Sequence, residues 1–134
     1  MLFRSPYPFL PDDSRLPEAQ LATGTEVLRV IAISRLMLNN IPHIKAYRMN
    51  LGDEISELAL QFGAGDIDGT VQKESIMHLA GSTTPLDHDK AQLAKIVTNS
   101  GSIPIQRNTT YTSFVEFIPP TVPERRSLRM ATGD

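Results

Sequence analysis

Apolar and polar positions follow the period of a helix in three stretches of the chain, and the first begins at Thr23. Glu26 follows three residues later, which is the spacing of a capping box, and the helical pattern runs to about Asn39. Its apolar positions cover more than one face of a helix. We therefore expect burial on two sides, through Val27, Val30, Ile31, Ile33, Leu36, Met37 and Leu38.

The second stretch follows Asp53, whose side chain suits the position before a helix. Its apolar residues fall at i, i+3, i+4 and i+7, the spacing of one buried stripe: Ile55, Leu58, Ala59 and Phe62. Gly63 is predicted to end this helix in the left-handed conformation. The third helix is predicted from near Asp87 to Gly101, and a shorter helical turn is predicted over 73–79.

Three further segments predict strands. They are "SPYPFLP" (5–11), which its prolines keep extended, "HIKAYRMNL" (43–51), which alternates weakly, and "GDIDGTV" (65–71), which is short like a buried parallel strand. Strands and helices thus alternate, which is typical of the α/β class with parallel strands and crossover helices. The last part of the chain has prolines, charges and no period, so we expect 113–134 to form an extended or loosely ordered tail.

Composition narrows the classes of function. The 134 residues, 40% of them apolar, fit one soluble domain, and a net charge of −2 gives no electrostatic footprint for nucleic acid. No apolar run is long enough for a bilayer and no secretory leader is visible, so we expect a cytoplasmic protein. The absence of cysteine excludes disulfides, a thiolate nucleophile, a zinc ribbon and a thiolate-held iron–sulfur cluster within this chain.

A calcium loop is the weakest interpretation of the polar segment after the third strand. Placing Gly69 at position 6 of an EF-hand loop puts Asp66 and Asp68 at positions 3 and 5. Positions 1 and 12, where such a loop needs its anchoring carboxylates, then hold Ala64 and Ser75. Two ligands are therefore missing.

Two other hypotheses remain open for this segment. Asp66 and Asp68 follow a short strand, so they either line a ligand crevice at the strand's carboxyl end, or Asp68 caps the turn. Glu74 and His78 stand four residues apart and share a helix face. They form either an acid–base pair that faces a ligand or a solvated pair that steadies the helix.

Several blocks of the sequence resemble a known enzyme family. "RVIAISRLMLNNIPHIKAY" (29–47), "ALQFGAGDIDGT" (59–70), "ESIMHLAGSTTP" (74–85) and "QRNTTY" (106–111) are similar, in this order, to the carboxyl-terminal half of aminofutalosine synthase. That radical S-adenosylmethionine family includes dehypoxanthine futalosine cyclase and the coenzyme F420 biosynthesis enzymes. "HIKAY" with "DIDGT" favours the synthase; a fragment of the cyclase or of an F420 synthase is the alternative.

The resemblance implies a TIM-type barrel, of which 1–112 would supply about the last three βα units. It also implies S-adenosylmethionine and a [4Fe–4S] cluster as cofactors. The family reaction adds an adenosyl radical to 3-[(1-carboxyvinyl)oxy]benzoate and gives aminodeoxyfutalosine for menaquinone biosynthesis. Three cysteines in the first half of the family barrel hold the cluster, so we expect no radical chemistry from this chain alone.

Such a chain would be a truncated product or half of a split enzyme that needs a complementary amino-terminal half-barrel. A non-catalytic binding protein is the rival hypothesis, and an incomplete barrel would also be prone to self-association. The resemblance assigns substrate or cofactor contacts to Asp66, Asp68, Thr70 and Arg48. It places Glu74 and His78 near the pocket rim, with His78 the leading candidate for proton transfer. Arg48 stands where the family has an aromatic residue, and Gly65 where it has asparagine.

Overall fold

Three short parallel strands, joined by helices, form the centre of the fold. The computed structural model describes residues 3–12, 15–16, 18–71, 73 and 75–118. The sheet consists of β1 (Phe3–Arg4), β2 (His43–Ala46) and β3 (Asp66–Ile67), and β2 pairs in parallel with both of the others. Helix α1 (Gly24–Met37) connects β1 to β2, and α2 (Arg48–Gln61) connects β2 to β3. The predicted α/β class with a parallel sheet is confirmed.

Two helices and a hairpin follow the parallel sheet. They are α3 (Ser75–Leu79), α4 (Lys90–Asn99), and the antiparallel strands β4 (Ile105–Arg107) and β5 (Phe114–Glu116). The hairpin was not predicted, and it spans the predicted boundary at residue 112. Residues 119–134 of the predicted tail lie outside the described residues. No helix in the described part of the chain combines the length and the apolarity needed to cross a bilayer.

The predicted helix ends are confirmed where capping chemistry sets them. Thr23 and Glu26 form a reciprocal capping box at the start of α1, with the Thr23 N–H donating to Glu26 Oε2 at 2.8 Å. Asp89 forms the same arrangement with Gln92 before α4. Gly63 and Gly101 follow α2 and α4 with φ of 105° and 84°, a conformation that glycine adopts without strain.

Two predicted boundaries are wrong. The strand predicted over 43–51 ends at Ala46, and a helical turn begins at Arg48, because the Asp68 carboxylate accepts the Arg48 N–H and fixes that turn. Gly52, with φ of 76°, kinks the chain between this turn and the helix predicted after Asp53. The first strand is Phe3–Arg4 and does not include the proline-rich 5–11 segment, because proline cannot donate to a ladder.

The hydrophobic core lies between the sheet and one side of α1 and α2. Its buried members are Val27, Ile31, Ile41, Ile44, Ala46, Ala59 and Ala64. The expected burial of α1 on two sides is wrong for this chain, because Val30, Ile33, Leu36 and Met37 are exposed. The predicted stripe of α2 is buried at Ala59, whereas Leu58 and Phe62 remain 41% and 46% exposed. These four exposed apolar residues of α1 are called the α1 stripe below.

The two faces of the sheet differ in chemistry. Successive side chains of a strand point to opposite faces, so Ile44 and Ala46 of β2 pack on the helices while His43 and Lys45 face the other way. The parallel register aligns Phe3 with His43 and Lys45 with Asp66, so these four residues share one face. We call it the open face.

The core contact of α1 should dominate stability. Ile31 is fully buried and Ile33, two residues later on the same helix, is 51% exposed. Ile31→Ala is expected to lower the free energy of unfolding by about 2–5 kcal/mol, because it removes buried methyl groups and leaves a cavity. Ile33→Ala, the matched control, should cost less than about 1 kcal/mol. Urea unfolding followed by circular dichroism measures both, and equal losses would contradict the assigned core.

Candidate functional site

The carboxyl ends of β2 and β3 are joined by one short hydrogen bond. Asp68 follows β3, and its Oδ1 accepts the N–H of Arg48, which follows β2, at 2.5 Å. The Asp68 carboxyl group is buried, and its Oδ2 has no hydrogen-bond partner among the described residues. Burial raises the pKa of Asp68, and the bond from Arg48 opposes that rise only in part. A buried acceptor with spare capacity at a strand end is suited to receive a ligand donor.

Arg48 holds a loop over these strand ends. The side chain is fully buried, its Nη1 donates to Asp53 Oδ1 at 2.9 Å, and its Nη2 donates to the Pro85 carbonyl at 3.0 Å. Asp53 Oδ2 contacts His88 Nε2 at 2.7 Å. Burial would raise the pKa of Asp53, but the hydrogen bonds from Arg48 and His88 outweigh it and lower that pKa. Both terminal guanidinium nitrogens are thus engaged within the protein, while the buried Nε has no partner among the described residues, so the predicted ligand contact of Arg48 would act mainly through this loop.

His78 lies on the short helix α3, with an exposed side chain. Its Nε2 lies 2.9 Å from the Thr84 carbonyl oxygen, so one ring nitrogen is occupied by the loop that follows. Its predicted partner Glu74 lies outside the described residues. The acid–base pair stays a prediction.

Asp66 is fixed by the hairpin on the open face. Its carboxylate accepts two hydrogen bonds from Arg107, at 2.9 and 2.8 Å, and one from the Tyr111 hydroxyl at 2.5 Å. Burial raises the pKa of Tyr111, and the Asp66 carboxylate raises it further. The pKa of Arg107 is also raised, because its pairing with Asp66 outweighs its burial. Sequence reasoning assigned no role to Arg107 or Tyr111, although both lie in the quoted block "QRNTTY".

A cleft of about 340 Å³ lies beside β3. Asp66, Asp68 and Thr70 all line it, so three of the predicted contact residues come together, while Arg48 and His78 do not line it. The lining also includes Lys90 and the apolar side chains of Leu60, Leu93, Ala94 and Val97. A mostly apolar space with a few polar groups is typical of a small-molecule site.

The chain does not provide ligands for an iron–sulfur cluster. It contains no cysteine, and the described residues bring no three histidine, aspartate or glutamate side chains together as a metal site.

Comparison with known proteins gives one family and several named relatives. Residues 2–120 match the family model described as "CofH/MqnC C-terminal region". Aminodeoxyfutalosine synthase of Thermus thermophilus is 40% identical over 110 residues, which cover 79% of this chain and 30% of that protein. Cyclic dehypoxanthine futalosine synthase of Halalkalibacterium halodurans is 32% identical over 103 residues, which cover 77% of this chain and 27% of that protein.

A third relative carries a different name. The 5-amino-6-(D-ribitylamino)uracil--L-tyrosine 4-hydroxyphenyl transferase of Methanoculleus marisnigri is 39% identical over 90 residues, covering 67% of this chain and 24% of that protein. The chain thus spans less than a third of the length of each of these relatives.

The bond from Tyr111 to Asp66 should stabilise the protein in a pH-dependent way. Tyr111→Phe is expected to cost about 1 kcal/mol at neutral pH, because it removes a partly exposed bond to a carboxylate. The pKa of Tyr111 is raised on folding, so this contribution is present below about pH 10, the pKa of unfolded tyrosine. It should decline as the pH rises beyond that value.

Denaturant unfolding at a series of alkaline pH values measures the difference between Tyr111→Phe and the unmodified protein. Tyr7→Phe is the control, because its hydroxyl makes no bond to a carboxylate among the described residues. A Tyr111→Phe difference that stays constant up to strongly alkaline pH would contradict the assigned bond.

Proposed function

The chain belongs to the family described as the CofH/MqnC C-terminal region, and from this premise we propose that it is the carboxyl-terminal portion of an aminodeoxyfutalosine synthase. The whole enzyme would add a radical derived from S-adenosylmethionine to 3-[(1-carboxyvinyl)oxy]benzoate and give aminodeoxyfutalosine for menaquinone biosynthesis. Similarity to the Thermus protein supports this choice within the family.

One observation carries the proposal. Asp66 in β3, and Asp68 and Thr70 beyond its carboxyl end, line a single cleft. In parallel α/β sheets, ligands bind beyond the carboxyl ends of the strands. Asp68 and Thr70 would bind polar groups of substrate or cofactor, and the loop held by Arg48 would fix the rim beside them. Asp66, predicted to do the same, would have to share a carboxylate that Arg107 and Tyr111 already hold. His78 does not line the cleft, and its proposed proton transfer, with Glu74 as the predicted partner, would take place at the pocket rim.

The three βα units would be the last part of a TIM-type barrel. In the described sheet, β1 and β3 each pair on one side only, so both outer edges are open to further strands. The α1 stripe is apolar and exposed, as expected for a helix that packs on a neighbour in a ring of helices. We propose that an amino-terminal half-barrel with the cluster cysteines covers this surface, and that the chain alone performs no radical chemistry.

A second candidate is the reaction of another family branch. The chain is also similar to the Methanoculleus transferase and to the cyclic dehypoxanthine futalosine synthase. The reactions that these two names describe are therefore assayed as well. A non-catalytic binding protein is the remaining alternative, and failure of every complementation below would favour it.

Complementation tests the proposed function. The 134-residue chain is mixed with the amino-terminal portion of the Thermus synthase that lacks the matched region, and the mixture is reconstituted anaerobically with iron and sulfide. Aminodeoxyfutalosine should form from S-adenosylmethionine and 3-[(1-carboxyvinyl)oxy]benzoate only in the mixture. Cluster absorption in the chain alone, or product formation without the partner, would contradict the proposal.

The matched variants of this assay are Leu36→Glu and Ile118→Glu. The two side chains are 79% and 81% exposed, but only Leu36 belongs to the α1 stripe. Leu36→Glu should lower complementation by about tenfold or more, because it buries an unpaired charge in an apolar interface. Ile118→Glu should leave it within about twofold. Equal effects would remove the α1 stripe from the interface.

The role of His78 is tested in the same mixture. His78→Ala should lower kcat by about 10²-fold or more if the ring transfers a proton. Ser75→Ala is the control, because Ser75 is exposed on the same short helix. Unchanged turnover in His78→Ala would exclude the proton-transfer role while leaving the proposed function standing.

A further inference from the structure

Most of the aromatic rings of the chain gather on the open face. The sequence has three tyrosines and five phenylalanines, and all three tyrosines with two of the phenylalanines contact one another there, directly or through His43 or Lys45. The ring centroids of Phe3 and Tyr111 are 5.5 Å apart, and those of Tyr7 and Tyr47 are 4.7 Å apart. Phe3, Tyr7 and Phe114 remain about half exposed. Exposed apolar patches are common at ligand-binding and interaction surfaces.

A single lysine lies within this aromatic surface. Lys45 Nζ is 5.8 Å from the ring centroid of Phe3 and 5.7 Å from that of Tyr47. It is half-buried, and it forms no ion pair with any described residue. Burial lowers the pKa of Lys45, although Asp66 and Asp68 oppose the change. Two aromatic rings thus flank a partly desolvated cation whose charge is available to an anion.

The Asp66 carboxylate on this face is already paired with a cation. Asp66 accepts two bonds from Arg107 and one from Tyr111, so it has little capacity left for Lys45. The hairpin that supplies these donors holds Tyr111 at φ of 57°, a conformation that is uncommon outside glycine. Strain of this kind persists where the surrounding structure fixes a side chain. The arrangement keeps the Tyr111 ring against the sheet and engages the Asp66 oxygens, so Asp66 acts on Lys45 without a direct ion pair.

We propose that the open face binds an aromatic carboxylate, whose carboxylate group pairs with Lys45 and whose ring packs against Phe3 and Tyr47. Charge complementarity selects an anion, and the flanking rings select a planar aromatic body. The inference rests on the proposed function in one respect, because the substrate named there is a benzoate. It makes Lys45 a residue that determines substrate specificity, on a different surface from the cleft beside β3.

Benzoate is the probe, and two analogues separate the parts of the proposal. Benzamide keeps the ring and loses the charge, whereas cyclohexanecarboxylate keeps the charge and loses the aromatic ring. Nuclear magnetic resonance titration of the ¹⁵N-labelled 134-residue chain measures weak affinities and locates the site. Benzoate should shift the amides of Lys45 and Tyr47 and bind about tenfold or more tightly than either analogue.

Lysine variants test the cation. Lys45→Met should weaken benzoate binding by about tenfold or more, whereas Lys45→Arg, which keeps the charge, should stay within about threefold. Lys95→Met on the exposed side of α4 is the control and should bind as the unmodified chain does. Thermal unfolding of each variant verifies that it is folded. If Lys45→Met does not fold, Lys45→Arg still tests the requirement for a cation, because it should keep benzoate binding.

Three results would overturn the proposal: no benzoate binding, equal binding of benzoate and benzamide, or equal loss in Lys45→Met and Lys95→Met. Equal binding of cyclohexanecarboxylate would identify an apolar docking surface with an adjacent charge, and it would overturn the aromatic selectivity. None of these results depends on product formation. If complementation succeeds but benzoate binding does not depend on Lys45, the proposed function stands and the binding site does not. If complementation fails but benzoate binding depends on Lys45, the binding site stands and the proposed function does not.

Discussion

The hydrogen bond between the Asp68 carboxylate and the Arg48 N–H is the constraint on which the site depends. It joins the carboxyl ends of two parallel strands and fixes a helical turn at Arg48, which a kink at Gly52 separates from the helix predicted after Asp53. Because the helix begins there, the Arg48 side chain is directed to Asp53 and to the Pro85 carbonyl, which fastens the loop after α3 over the strand ends. One carboxylate therefore sets the position of a helix, a buried cation and a loop.

Strand alternation divides the chemistry of the sheet. Ile44 and Ala46 make the core with the helices, while Lys45 and Asp66 face the hairpin. In a barrel, the side opposite the helices is the interior. The rings on the open face would then line that interior, whereas the cleft beside β3 takes its apolar wall from α2 and α4 and so lies on the helix side of the sheet.

Local chemistry made part of this structure predictable. The capping box at Thr23 and the glycines after α2 and α4 act within a few residues of the chain, and their predictions are confirmed. The start of α2 depends on Asp68, which lies twenty residues away, so no local pattern reports it. The pairing of Asp66 with Arg107 has the same origin, since it spans 41 positions in the chain. Exposure of the α1 stripe depends on what covers the helix, which hydrophobic periodicity does not specify.

The central claim is that this chain forms one arc of a larger barrel whose remaining arc covers α1 and the edge of β1. Hydrogen exchange of the 134-residue chain, measured with and without the amino-terminal portion of the Thermus synthase, tests that claim most directly. The account predicts new protection at Phe3–Arg4 and along α1, with α4 unchanged. An exchange pattern that the partner leaves unaltered, from a chain that is already a cooperatively folded monomer, would contradict it.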